Sequence, residues 1–142
     1  MGAGGVARSL TGMTIDADLK ALAGGKNFAA LTTLGADGQP STQLMWVDAD
    51  DDHVMFNTET GRQKFRNVQR DPRVAITVFD QANPYRYVEA RGRVVDTVTG
   101  DEARAHIDAL SRKYTGNDYG NPIKTERVVV KIAVDRVHKN NV

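Results

Sequence analysis

Cysteine is missing from all 142 residues, which excludes disulfides, thiolate metal sites and cysteine nucleophiles and fits a reducing compartment. An excess of one charge is missing too, since 19 Lys and Arg stand against 18 Asp and Glu. Bulk attraction to nucleic acid or to an acidic membrane therefore has no basis, and any anion site must be local. Aromatic residues make up only 6% of the chain and are not interleaved with a basic stripe, so no nucleic-acid surface is expected. His53, His106 and His138 share no ligand spacing, and no metal site is expected. Long apolar runs are absent. No segment approaches the ~20 residues of a membrane span, and MGAGGVARSLTG lacks the apolar stretch of a secretory signal. A soluble, cytoplasmic protein is the expectation. No Ser, His and Asp arrangement resembles a nucleophile triad, and there is no elbow motif.

What is present suits one domain. We expect a flexible glycine-rich tail over 1–13, carrying Gly2, Gly4, Gly5 and Gly12, and a single domain over 14–142. Apolar spacing predicts a helix from Ile15 to Ala23, ended by Gly24-Gly25. Strands follow at 27–34 and 41–47, joined by a turn at Asp37-Gly38. The acidic run Asp48, Asp50, Asp51, Asp52 reads as a solvated tight connection rather than a cation site, before a strand at 53–58. A helix at 61–69 is stopped by Asp71-Pro72. Strands at 73–79 and 85–98 come next, with Gly92 placed where the longer one could bulge. Thr99-x-x-Glu102 reads as a capping box for a helix at 99–114, and the apolar run at 127–137 closes the chain as a strand. The fold class is thus mainly β with helices (α+β). Six antiparallel strands with one bent member favour a closed or partly closed barrel, which leaves few exposed edges.

The densest chemistry lies between Val54 and Val78, where Arg62, Lys64, Arg66 and Arg70 cluster at a strand-to-helix junction. Helix N-termini expose unpaired N–H groups, and a guanidinium beside an ammonium offers both kinds of donor a phosphate accepts. A solvated helix face is the bland alternative for all four cations, and Arg70 could pair locally with Asp71. Met45 and Trp46 point to opposite faces of their strand, so core packing claims one and leaves the other for a ligand or an interface. Tyr85 and Tyr87 share a face by alternation and could flank a planar ring or pack across a dimer seam.

Phe56-Asn57-Thr58, Gly61-Arg62-Gln63-Lys64, Asn67, Arg70-Asp71-Pro72-Arg73-Val74, Tyr85-Arg86-Tyr87-Val88-Glu89 and Arg91-Gly92-Arg93-Val94 recur here in one order. That ordered set resembles the pyridoxamine-phosphate-oxidase-like split β-barrel superfamily over about 15–137. The wording NPYRYVEARGRV is most similar to actinobacterial reductases that use the deazaflavin coenzyme F420. The resemblance implies a six-stranded split barrel of the flavin-reductase type and a homodimer with cofactor sites at the interface. Thr42, Gln43, Leu44, Met45 and Trp46 would then lie along the cofactor ring. Asn57 and Thr58 would touch the ribityl and phosphate region, Lys64 would bind phosphate with Arg62 beside it, and Tyr87 would come from the partner subunit.

The implied activity is hydride transfer from reduced F420 to an electron-poor small molecule such as a conjugated carbonyl, lactone or quinone. The cofactor carries the chemistry, and no catalytic acid is identifiable in the chain. One alternative is FMN in the same fold, although Gln63 stands where FMN enzymes of this kind commonly carry Arg. Pyridoxamine phosphate oxidation itself is not expected, because no C-terminal extension with substrate-binding arginines follows Lys139. The other alternative is a non-catalytic flavin-binding or deazaflavin-binding protein.

Overall fold

Alternation with a period of two turns Ala29, Leu31 and Thr33 to one side of a strand and Phe28, Ala30, Thr32 and Leu34 to the other. The computed structural model describes residues 14–142. The expected tail over 1–13 lies outside the described residues. Seven strands, β1 (Phe28–Leu34), β2 (Pro40–Trp46), β3 (Asp48–Ala49), β4 (Val54–Glu59), β5 (Arg73–Phe79), β6 (Tyr87–Val98) and β7 (Arg127–Asn140), form one sheet. Its order is β2-β1-β5-β6-β7-β4-β3, with every pair antiparallel. Three helices, α1 (Ala17–Gly24), α2 (Gln63–Arg70) and α3 (Asp101–Thr115), accompany it.

The strand count exceeds the expected six for a local reason. Only Val47, wholly buried, separates β2 from β3, so the two outermost strands of the sheet are halves of one bent run. It pairs first with β1 and then with β4. Asp48, read as part of a solvated turn, is therefore a strand residue. Asp50 does serve the turn behind it, accepting from Asp52 N–H at 2.8 Å and from His53 N–H at 2.6 Å.

The core fills the space inside the curved sheet with Leu31, Val54, Phe56, Ile76, Val78, Val88, Val130 and Ile132, joined by Leu19 and Leu22 of α1 and by Phe65 and Val68 of α2. Gly92 is where β6 bends: its pairing with β7 slips between Arg91 and Gly92, and a Cβ there would stand 2.0 Å from the Ala133 carbonyl oxygen. Only glycine fits so close an approach.

Three expectations need correction. The strand read from Tyr85 begins at Tyr87, because Asn83 Oδ1 accepts from Tyr85 N–H and Asp80 N–H donates to the Arg86 carbonyl, closing a turn around Pro84. Tyr85 does not alternate with Tyr87. The capping box fails as well. Gly100, at φ 76°, caps α3 without a side-chain bond, and Asp101 and Glu102 instead place negative charge in its first turn. Arg70 does not pair with Asp71 but donates to the Leu34 carbonyl and to Asn67 Oδ1, while Asp71 pairs with Arg73.

α3 packs against β7 and β4 through Ala103, and its C-terminal end reaches Phe28 of β1 and Trp46 of β2. The Tyr114 hydroxyl accepts from Val47 N–H at 3.1 Å and donates to the Asn27 carbonyl, and its ring stacks on Trp46 with centroids 5.1 Å apart. Beside it, Lys113 Nζ donates to the Val47 carbonyl at 2.7 Å and to the Ala23 carbonyl at 3.0 Å. These bonds tie α3 and α1 to the bend in the β2–β3 run. No described helix is long and apolar enough to cross a membrane.

Candidate functional site

β4 ends at Glu59, and the chain turns through Gly61 into α2, whose N-cap is Arg62, with no side chain capping its first N–H groups. Beside this junction opens a cleft of about 270 Å³. Met45 and Trp46 of β2, Asn57 and Thr58 of β4, and Arg62 and Lys64 line it on one side. Ile107 and Leu110 of α3, Tyr119 and Asn121 of the following loop, and Arg127 of β7 complete it. A larger cleft of about 550 Å³ lies near Asp16 and Asp135. There Arg93 pairs with Asp135 and Asp16 with Lys139, and Asp52 adds a further carboxylate to the wall.

The smaller cleft is different because, among the described residues, three cations line it, Arg62, Lys64 and Arg127, and no carboxylate does. Glu59 and Arg127 face each other across β4 and β7 and are 4% and 8% exposed. Arg127 Nη1 lies 3.5 Å from Glu59 Oε2, its Nε donates to Asn57 Oδ1 at 2.9 Å, and its guanidinium sits 5.1 Å from the Tyr119 ring centroid. Burial works to lift the Glu59 carboxyl. Hydrogen bonds from Thr125 N–H and hydroxyl, from Lys124 N–H, and the Arg127 charge outweigh it and hold the group below its ordinary range. Glu59 is saturated.

Lys64 has no such partner. It is half-buried, no hydrogen bond or ion pair engages its Nζ among the described residues, and burial followed by the charges of Arg62 and Arg127 pushes its ammonium below the ordinary lysine value. An ammonium in that setting is stabilised by an incoming anion. Arg62 reaches no nearer than 4.0 Å to Glu59 and is largely exposed, so it too can turn toward the cleft.

Asn57 is at the cleft wall, yet its amide is engaged elsewhere. Nδ2 donates to the Ala103 carbonyl at 3.0 Å and faces His106 Nδ1 at 3.1 Å, while His106 Nε2 meets Asp48 Oδ2 at 3.1 Å. Burial tends to raise the Asp48 carboxyl, but the bonds from His106 and Ala49 N–H and the charges of His106 and Lys113 leave it lowered.

Of the residues singled out from sequence, Met45, Trp46, Asn57, Thr58, Arg62 and Lys64 thus come together in one cleft. Thr42, Gln43 and Leu44 lie farther along β2 and are exposed, Leu44 at 69%. Tyr87 lies in a cross-strand row with Trp46, Phe28 and Phe79 on one face. Three strand spacings of ~4.8 Å put it roughly 14 Å from Trp46, beyond the same chain's cleft. Arg127 and Tyr119 went unnoticed in the sequence. The available signal was a lone cation heading the apolar run RVVVKIAV.

A model of the pyridoxamine 5'-phosphate oxidase family matches residues 15–141. Among solved structures, an F420 reductase is 31% identical, with 89% of this chain and all of that chain covered and a TM-score of 0.76. A conserved hypothetical protein from Mycobacterium tuberculosis is 24% identical, covering 93% of this chain and 88% of its own, at 0.68. General Stress Protein 26 from Bacillus anthracis is 17% identical, covering 87% and 92%, at 0.65. The last two share the fold alone. No curated protein matches.

Proposed function

We propose, on the premise that this chain belongs to the pyridoxamine 5'-phosphate oxidase family, that it is an F420-dependent reductase acting as a homodimer on electron-poor small molecules. The carrying observation is Lys64, a half-buried ammonium without a carboxylate, flanked by Arg62 and Arg127. That donor set suits a phosphate-bearing tail, since an ammonium and two guanidinia can each bond its oxygens. The likeness to an F420 reductase at 31% identity supports the deazaflavin over FMN. Gln63 points the same way: it bonds Arg66 and Asn67 within α2, so it adds no donor to the cleft.

When bound, the deazaflavin would supply a hydride from its C5 position. The chain's own part is to bind and orient. Lys64, Arg62 and Arg127 would anchor the tail, the uncapped start of α2 would add its N–H groups and positive dipole end, and Trp46 and Tyr119 would wall the cleft against water. Main-chain groups of the exposed stretch Thr42 to Leu44 on β2 would meet the ring edge. The homodimer is supported by Leu44, which stands 69% exposed on the sheet face that also bears Trp46 and Tyr87. A second copy seated there would bring its Tyr87 to a site that one chain leaves open.

Steady-state oxidation of reduced F420, followed by absorbance with a quinone or conjugated carbonyl as acceptor, tests the activity. Turnover with F420 and none with reduced FMN supports this reading. Turnover with FMN alone overturns the cofactor choice. Tight F420 binding without turnover on any acceptor of these classes would favour the non-catalytic alternative.

A further inference from the structure

We propose that His106 is a pH-sensing positioning residue: as a neutral imidazole it fixes Asn57, Asn57 fixes Arg127, and anion binding in the cleft therefore tightens as His106 loses its proton. The binding half of this rests on the cleft being an anion site. The relay itself does not.

Both ends of the Asn57 amide are constrained. Its Oδ1 accepts from Arg127 Nε, which can only donate, and its Nδ2 donates to the Ala103 carbonyl, which can only accept. The amide therefore cannot be turned over without losing both bonds. Its second Nδ2 hydrogen faces His106 Nδ1 at 3.1 Å, so that ring nitrogen must offer a lone pair. The ring proton then belongs on Nε2, where it donates to Asp48 Oδ2 at 3.1 Å. A chain of defined donors and acceptors results, running from Asp48 through His106 and Asn57 to Arg127 and on to Glu59.

Protonating His106 puts an N–H on Nδ1, against the N–H of Asn57. Two donors cannot bond, so the amide must swing, and Arg127 loses the acceptor that holds its Nε. Arg127 keeps its ion pair with Glu59 but no longer has a fixed orientation at the cleft. His106, whose side chain is 13% exposed, borders a second cleft of about 390 Å³ through which protons can reach it. The charged groups around it are Asp48 of β3, Asp50 of the adjoining turn, Lys131 of β7 and Glu102 on the preceding turn of α3, with Lys113 acting on Asp48. The donor pattern determines what protonation of the ring does.

The relay can be read in the unliganded protein by ¹⁵N NMR of the histidine rings and arginine Nε–H groups between about pH 5 and 8, the range in which imidazoles change charge. His106 should be the Nε2–H tautomer at the upper end, with a protected Arg127 Nε–H signal that disappears as His106 protonates. In His106→Asn, whose Oδ1 takes the place of Nδ1 as acceptor and does not titrate, that signal should persist across the range. Isothermal titration with coenzyme F420, FMN and inorganic pyrophosphate should show wild-type affinity weakening about tenfold toward the acid end, the scale of one lost bond to a charged group. His106→Asn should stay tight and flat, and His106→Leu weak and flat. An Nδ1–H tautomer, an Arg127 signal indifferent to pH, or a His106→Asn variant with the wild-type pH profile would overturn the proposal. If none of these anions binds the wild type at any pH, the anion-site reading fails, and the NMR result alone decides the relay.

Discussion

An unpartnered, half-buried lysine and a saturated carboxylate divide the work at the residue scale. Glu59 holds Arg127 in place with one oxygen and ties the 124–125 loop with the other, so its value is structural. Glu59→Ala leaves the buried guanidinium uncompensated beside two other cations, and the expected loss is about 3–5 kcal/mol, read by urea unfolding. A loss below about 1 kcal/mol would place Arg127 in water. The same carboxyl sets a pH dependence. Its folded value lies below its unfolded one, so its contribution is complete above the ordinary glutamate range and disappears as pH falls through the lowered value. Glu59→Gln should flatten the acid limb of a stability–pH curve, and an unchanged limb would refute the assignment. Lys64 and Arg62 were legible in the sequence because a strand-to-helix junction puts neighbours in sequence side by side in space. Arg127 was not: its carboxylate is 68 positions away, and only the β4–β7 register brings the two together.

Elements were read well wherever local chemistry decided them. The Asp37-Gly38 hairpin, the stop at Asp71-Pro72 and the bend at Gly92 each follow from a backbone preference of a named residue. β3 escaped notice because nothing in Asp48 favours a strand; pairing with β4 imposes it, and His106 takes up its carboxylate. The capping box at Thr99 was also overruled, since a glycine at positive φ already makes the turn into α3. Gly92 offers the sharpest test at this scale. A methyl group there collides with main chain rather than with a side chain that can move. Gly92→Ala should therefore cost at least about 1–3 kcal/mol, the range for overpacking, and lower the thermal midpoint by several degrees. An unchanged midpoint would mean that the β6–β7 bulge relaxes freely.

For the whole molecule, the family and the barrel could be reached from residue order, whereas the completion of the site by a second subunit is a proposal. Leu44 stands exposed on the sheet face that also bears Trp46 and Tyr87, and the proposed sharing of the site between subunits would leave no signature within either chain. Sedimentation should give twice the 15.5 kDa of one chain. Leu44→Asp should shift it to monomer while circular dichroism stays unchanged, since the side chain is 69% exposed in the single chain. A monomeric wild type would remove the interfacial site. The central claim is that Lys64 and its two arginine neighbours receive the tail of a deazaflavin, and the direct measurement is fluorescence titration of wild type and Lys64→Ala with F420 and with FMN. Micromolar or tighter F420 binding, weak FMN binding, and a loss of about 1.5–3 kcal/mol in the variant are expected for a charge-assisted bond. Equal F420 affinity in wild type and Lys64→Ala, or a preference for FMN, would contradict it.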